Sequence, residues 1–171
     1  VHARALTEAV TRSAEMNRIL REAMVVSEAA RGELWQYHNG VSSLVGIPFF
    51  KLSQTNVVAA PAVSPMSVGQ SSLPLHVIDG WLPRFLAGQC VDQDDDAASP
   101  PLAQLMRDGS VERIIACPVH ISGLREPVGH VAISYVRGWS PPDRDAAMSS
   151  LRAAAVRAGA VLAAYRESMQ R

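Results

Sequence analysis

Lysine is all but missing from this sequence. Lys51 is the only one, and arginine supplies the rest of the 16 basic residues. Sixteen acidic residues balance them, so the formal net charge is zero and no basic field argues for nucleic acid or an anionic membrane. Cysteine is scarce as well. Cys90 and Cys117 are too few for a disulfide framework in a domain of this size, which makes a reducing, cytoplasmic setting the expectation. Long apolar runs are absent: none approaches the roughly 18 residues a membrane span needs, and no signal peptide is recognisable. There is no starting Met, and the chain opens inside a helical pattern, so it reads as a fragment or processed chain, which leaves room for an upstream anchor or further domain. Neither a phosphate-cradling loop, a nucleophile elbow nor a zinc-protease helix occurs. The expectation is a protein that is not an enzyme.

What is there is globular. At 171 residues, with 48% hydrophobic and 19% charged, the chain can bury one sizeable core. Its central stretch runs VERIIACPVHISGLREPVGHVAISYV, from Val111 to Val136. Two Val/Ile-rich runs flank a polar segment with Gly123 and Pro127, the signature of a β-hairpin. If paired residue numbers sum to 250, Ile115 faces Tyr135, Cys117 faces Ile133 and Val119 faces Val131. Those six share one bulky face, because successive side chains alternate. Ile114, Ala116, Pro118, His120, His130, Ala132 and Ser134 fall on a smaller, more polar face. Helices are expected behind the first face and a roofed space before the second.

Residues 2–31 hold no Gly or Pro before Gly32 and are dense in helix formers. Leu6, Val10, Asn17, Leu20 and Met24 follow heptad-like spacing, consistent either with packing on the chain's own domain or with a dimer whose register Asn17 helps set. Glu33–His38 and Phe49–Val58 read as strands, with Trp35 and Tyr37 on one face and Leu34, Gln36 and His38 on the other. The Pro/Ser/Ala-rich stretch 59–72 reads as a long loop at a lid entrance. Leu75–Leu86 reads as a short interrupted helix ended by Gly88, and residues 89–92 as a brief strand. Asp94, Asp95 and Asp96 read as a solvated acidic loop. A helix capped by Ser99 closes at Gly109, and a second cap-and-proline device, residues 139–143, precedes a helix over 142–169. There Met148, Leu151, Ala155, Ala158, Leu162 and Tyr165 keep three-four spacing. The organisation expected is a terminal helix over 1–31 for linkage or dimerisation, then a domain over 32–171. Its class is α+β: an antiparallel sheet with the long helices on one face and a loop and short-helix lid on the other.

With these elements in order, the chain resembles a GAF domain. That family's central segment has a glycine, a serine followed by two apolar residues, then a proline after two intervening residues. A hairpin glycine follows, and an aromatic–x–x–x–aspartate opens the last helix. The matching residues are Gly109, Ile114, Ile115, Pro118, Gly129, Trp139 and Asp143, while Arg113 stands at the serine position. The match is good over Leu102–Tyr165 and weaker in the first half. What the resemblance implies is a small ligand (a cyclic nucleotide, tetrapyrrole or metabolite) in a pocket over the sheet, or a dimerising module. Some members reduce methionine sulfoxide with cysteines, and photoreceptor members attach a bilin through a cysteine near a histidine. Cys90 lies in neither pattern.

A pocket over the small face would be floored by Ala116, Ala132 and Ser134, with His38, Lys51, Ser53, His76, Asp79, Pro118, His120 and His130 as further lining candidates. The alternative is a space already filled by Trp81 and Phe85, leaving a structural or interaction module. His120 and His130 are cross-strand neighbours in the register above, yet a zinc site needs three or four ligands and no third is dictated. Cys117 is expected to be an inert core thiol and Cys90 an exposed one without a resolving partner, poor support for a thiol reductase. The reading is therefore a GAF-like sensory module that binds an unnamed small molecule, contacts no nucleic acid, and forms a homodimer through its terminal helices.

Overall fold

A computed structural model describes residues 2–42, 48–64 and 72–170. Helix α1 (His2–Val26) leads into strands β1 (Arg31–Ser42), β2 (Pro48–Ala59) and β3 (Leu73–Pro74). A 3₁₀ turn (Leu75–Ile78), helix α2 (Leu82–Leu86), strand β4 (Val91–Asp94) and helix α3 (Pro100–Asp108) follow. Strands β5 (Val111–Val119) and β6 (Gly129–Val136) and helix α4 (Arg144–Met169) complete the chain. All strands are antiparallel neighbours in the order β3-β2-β1-β6-β5-β4. The expected α+β class is the one observed.

The bulky face of the hairpin meets the long helices. Ile115, Cys117, Val119, Val131, Ile133 and Tyr135 share one core with Met16, Leu20 and Met24 of α1 and Leu151, Ala155 and Ala158 of α4. The register, however, is not the one expected. Paired numbers sum to 248: Ile115 faces Ile133, Cys117 faces Val131 and Val119 faces Gly129. A shift of two residues preserves every face, so the packing survives the error. Its cause lies outside the hairpin. Gly129 also pairs with Gln36 of β1, where a Cβ would run into the Trp35 carbonyl oxygen. Only glycine admits that approach, so β1 sets where β6 begins.

Two ends also differ from the spacing-based reading. Helix α1 stops at Val26 rather than running to residue 31, and Gly32 lies inside β1. Glu28 takes the left-handed conformation (φ 50°), with Ala29 N donating to Met24 O at 3.0 Å and Glu28 N to Val25 O at 3.3 Å. That is a Schellman stop built without glycine. At the end of α3 it is Ser110 (φ 55°), not Gly109, that turns left-handed. Helix α4 starts after its prolines, with Asp143 as N-cap accepting from Ala146 N at 3.0 Å. Half of the expected 59–72 loop, residues 65–71, lies outside those described.

The cysteine expectation fails. Cys90 and Cys117 form a disulfide with Cα atoms 4.3 Å apart, beside the Val91–Ala116 pair that joins β4 to β5. Directly opposed antiparallel residues approach this closely at non-hydrogen-bonded positions, which is what sequence spacing could not reveal. Closing a loop of 27 residues contributes about 3–4 kcal/mol in the chain-entropy picture. Asp94, expected in a loop, ends β4. Arg113 forks to Asp92 (2.9 Å) and Asp94, so the residue that departs from the family's serine holds the edge strand instead.

Gly159 lets α4 pass close to the backbone just past β5, since a Cβ there would strike the His120 carbonyl oxygen. Inside an ordinary helix, Gly→Ala stabilises by about 1 kcal/mol. Here the sign should invert: Gly159→Ala is expected to destabilise by about 2 kcal/mol in urea unfolding.

Candidate functional site

Strand β1 carries the polar residues of the sheet's lid side. The parity that sets Trp35 and Tyr37 on that face also sets Arg31 and Glu33 there, and both are buried, Arg31 5% and Glu33 9% exposed. Arg31 donates from Nε to Ser64 O at 2.7 Å and from Nη1 to Gly109 O at 2.8 Å. Glu33 accepts from Trp35 Nε1 at 2.9 Å and from Ser134 Oγ at 3.4 Å. Burial holds the Glu33 carboxyl above its ordinary range, against the opposing pull of the Trp35 indole, the Arg31 charge, and Gln54 and Ser134. Gln54 Oε1, also buried, has no hydrogen-bond partner among the described residues.

His130 lies next to this group. Trp35, Tyr37, Trp81 and Phe85 surround its ring, with centroids 5.5–6.1 Å away. The sequence holds nine aromatic residues, so close to half are gathered about one imidazole. Tyr37 Oη sits 2.9 Å from His130 Nδ1. Desolvation pushes the imidazole pKa down to about 3, so it is neutral here, and raises the Tyr37 hydroxyl well above its usual range.

Arg31, Glu33, Trp35, His130, Ala132 and Ser134 are among the residues lining a narrow cavity of about 40 Å³. At about 10–15 Å³ per water on this measure, it admits a few water-sized molecules and nothing larger. Trp81, Phe85, Leu102 and Met106 pack down over Ala116 and Ala132 and take up the rest. The room is outside. A cleft of about 560 Å³ opens between the β1–β2 edge, α2 and the β5–β6 loop. Its walls include Tyr37, Phe50, Leu75, Leu82, Leu86 and Leu124, with His38, Asn39, Arg125 and Glu126 as polar groups.

The expected site residues are thereby scattered. His130, Ala132 and Ser134 line the inner cavity and Ala116 lies under the lid cluster. His38 lines the outer cleft, its Nε2 2.9 Å from Ser53 Oγ, which in turn accepts from Ser72 N at 2.8 Å. Lys51, Ser53, His76 and Asp79 line neither space. Pro118 and His120 line a separate groove beside the disulfide. His120 and His130 are not cross-strand neighbours: His130 faces Pro118, and His120 lies beyond β5. Among the described residues, no group of three or more His, Cys, Asp or Glu could hold a metal ion. Nor is any of their helices long and apolar enough to cross a membrane.

The heptad positions divide too. Leu20, Met24, Leu151, Ala155 and Ala158 are buried within this chain, Met148 and Leu162 pack against the same core, and Tyr165 is half-buried. Asn17 Oδ1 accepts from Asn56 of β2 at 2.9 Å. Leu6 and Val10, in contrast, are 67% and 61% exposed. Met16 is the first fully buried residue of helix α1. Sequence reasoning missed Arg31, Glu33 and the cleft walls on α2. Charges at inward parity on β1 were the available signal for the first two, and nothing local marked Leu86.

No protein-family model matches the chain, and no curated protein matches it in sequence. Solved structures do match in fold. The blue-light absorbing form of the Thermosynechococcus elongatus PixJ GAF domain superposes with TM-score 0.74 at 12% identity, over 96% of this chain and 92% of that one. A far-red absorbing dark state with bound biliverdin IXα matches at 0.64 and 11% identity, over 95% and 99%. A domain from Sinorhizobium meliloti 1021, assigned to a two-component sensor histidine kinase, matches at 0.59 and 11%, over 90% and 92%. The chain has the GAF fold.

His130 gives this interior a pH signature. Its folded pKa lies near 3 and its unfolded one near 6.5, so between them the unfolded chain binds more protons and stability falls as pH falls. The slope from this group should approach about 1.4 kcal/mol per pH unit between about pH 6 and about pH 4. His130→Gln is expected to remove that part of the slope in urea titrations across the range. Glu33, raised rather than lowered, contributes with the opposite sign and leaves the difference between the two proteins intact.

Proposed function

With the GAF fold as premise, we propose that the chain is a non-catalytic sensory or regulatory module that binds a small, largely apolar molecule and pairs through its terminal helices. The observation that carries the ligand half is the 560 Å³ cleft, whose size falls within the range of drug-sized ligand pockets. Its apolar walls would bury the body of the molecule, while Arg125, Glu126 and His38 would read its polar ends. Arg and Glu side by side suit a ligand bearing both a donor and an acceptor. A tetrapyrrole such as the biliverdin of one structural neighbour is one class to test. Attachment through a cysteine has no support, because both thiols are joined to each other.

Occupancy of the cleft would press on Leu82 and Leu86 of α2 and so on Trp81 and Phe85 beneath it. A ligand shifts such an equilibrium only by its difference in affinity for the two arrangements. The filled inner cavity favours a second reading, a structural or interaction module with no ligand. A thermal-shift screen against biliverdin, cyclic nucleotides and metabolites separates the two. A stabilising compound should lose its effect in Leu86→Asp, an exposed change expected to alter basal stability by no more than about 0.5 kcal/mol. No stabilising compound in the set leaves the second reading standing.

The pairing half rests on Leu6 and Val10, apolar, regularly spaced and exposed on the uncovered part of α1. Because neither is in the chain's own core, Leu6→Asp with Val10→Asp should halve the mass seen by light scattering while leaving a folded monomer by circular dichroism, whose unfolding midpoint no longer depends on protein concentration. An unchanged dimer would remove these residues from the interface, and a monomeric wild type would end the dimer reading.

A further inference from the structure

The Cys90–Cys117 disulfide is not sealed in the core. A groove of about 220 Å³ runs beside it, lined by both cysteines, Pro118, His120, and Arg152 and Val156 of α4. Arg152 and His120 are exposed at its rim, and the lining contains no Asp or Glu. Arg152 has no ion pair among the described residues. Of the two sulfurs' residues, Cys90 is the more open, 7% against 1%. Cys90 also sits where the lid joins the sheet. Helix α2 ends in a Schellman turn at Gly88 (φ 73°), with Gln89 N donating to Arg84 O at 2.8 Å, and Cys90 follows at once. Strand β4 beyond it has four residues and pairs with β5 alone among the described strands. Besides the disulfide, that edge is held by Arg113 with Asp92 and Asp94, and by Trp81 Nε1 donating to Gln93 Oε1 at 3.1 Å.

From this placement we propose that Cys90–Cys117 is a thiol-exchange site, opened by a low-molecular-weight thiol bearing carboxylates that docks in the cationic groove. The docked thiolate attacks Cys90 Sγ. The S–S bond breaks, and its electron pair leaves on Cys117 Sγ, which takes a proton from solvent. A second thiolate then attacks the outer sulfur of the mixed disulfide, releasing a small-molecule disulfide and the Cys90 thiolate, which is protonated in turn. Two thiols are oxidised and the protein is reduced by two electrons. The product lacks the covalent link between β5 and the segment that carries α2 and β4. In a cytosol, disulfides are commonly of this transient, redox-responsive kind. The inference stands apart from the ligand reading, since the groove and the cleft lie at different edges and share no residue.

The experiment uses the whole chain, purified without reductant and exposed to graded ratios of reduced to oxidised glutathione. Alkylation and mass spectrometry count free thiols, and amide exchange reports on residues 82–94. The proposal expects no alkylatable thiol at first, then a glutathione adduct on residue 90, then two thiols. Exchange over 82–94 should rise at least tenfold, with β1 and β6 unchanged. Glutathione should react several times faster per thiolate than cationic cysteamine at low salt, and Arg152→Glu should erase that preference. Two free thiols at the outset, a bond that resists glutathione until the chain unfolds, or opening without local exchange would each overturn the proposal. So would an adduct on residue 117, or equal rates for the two thiols. Because both redox forms are those of the wild-type chain, no cysteine variant has to fold.

Discussion

Close backbone contact between β1 and β6 governs this molecule. Gly129 lies where the Trp35 carbonyl arrives, and β6 then runs for seven residues buried on both faces. A strand covered on both sides tolerates no slip by one residue, since a slip would exchange its two faces. Everything else follows from that setting. Val131, Ile133 and Tyr135 are delivered to the helices, with the Tyr135 hydroxyl closing α1 by donating to Ser27 O at 2.8 Å. Ala132, Ser134 and His130 are delivered to the opposite side.

The two sides serve different ends. On the helix side, small residues on α4 let it settle close to the sheet, and the core is apolar and dense. On the lid side, a charged pair of residue types, Arg31 and Glu33, is buried among aromatics and anchored by carbonyls, an indole and a hydroxyl. Burying charge without such partners would cost several kcal/mol. Trp81 and Phe85 pack over this side and leave an interior space of only about 40 Å³. The larger space lies outside, in a cleft of about 560 Å³ whose walls include α2 and the β5–β6 loop.

Two links of different kinds hold one edge of the sheet. Arg113 and the disulfide both tie β4 to β5, one by charge and one by a covalent bond. The charged link is partly solvated and screened by salt, whereas the covalent one is indifferent to ionic strength. An edge strand held by two such different means has a stability that depends on its surroundings, and it carries the end of the lid.

Alternation and spacing alone determined the class, the hairpin, its bulky and small faces, and the positions of the main helices, because periodicities of 2 and 3.6 are local properties of the chain. The small face under Trp81 and Phe85 was legible for the same reason, as was Glu33 to anyone extending the parity of Trp35. Register was not, since the glycine that sets it answers to a third strand. The pairing of Cys90 with Cys117 was equally hidden, for it depends on β4 lying beside β5 across 27 residues. Heptad spacing on α1 could not say which apolar residues this chain covers itself: Leu20 and Leu6 look alike in sequence and differ completely in burial. Sequence states what each face is made of. Which faces meet, and how much room they leave, is decided only when distant segments compete for the same volume.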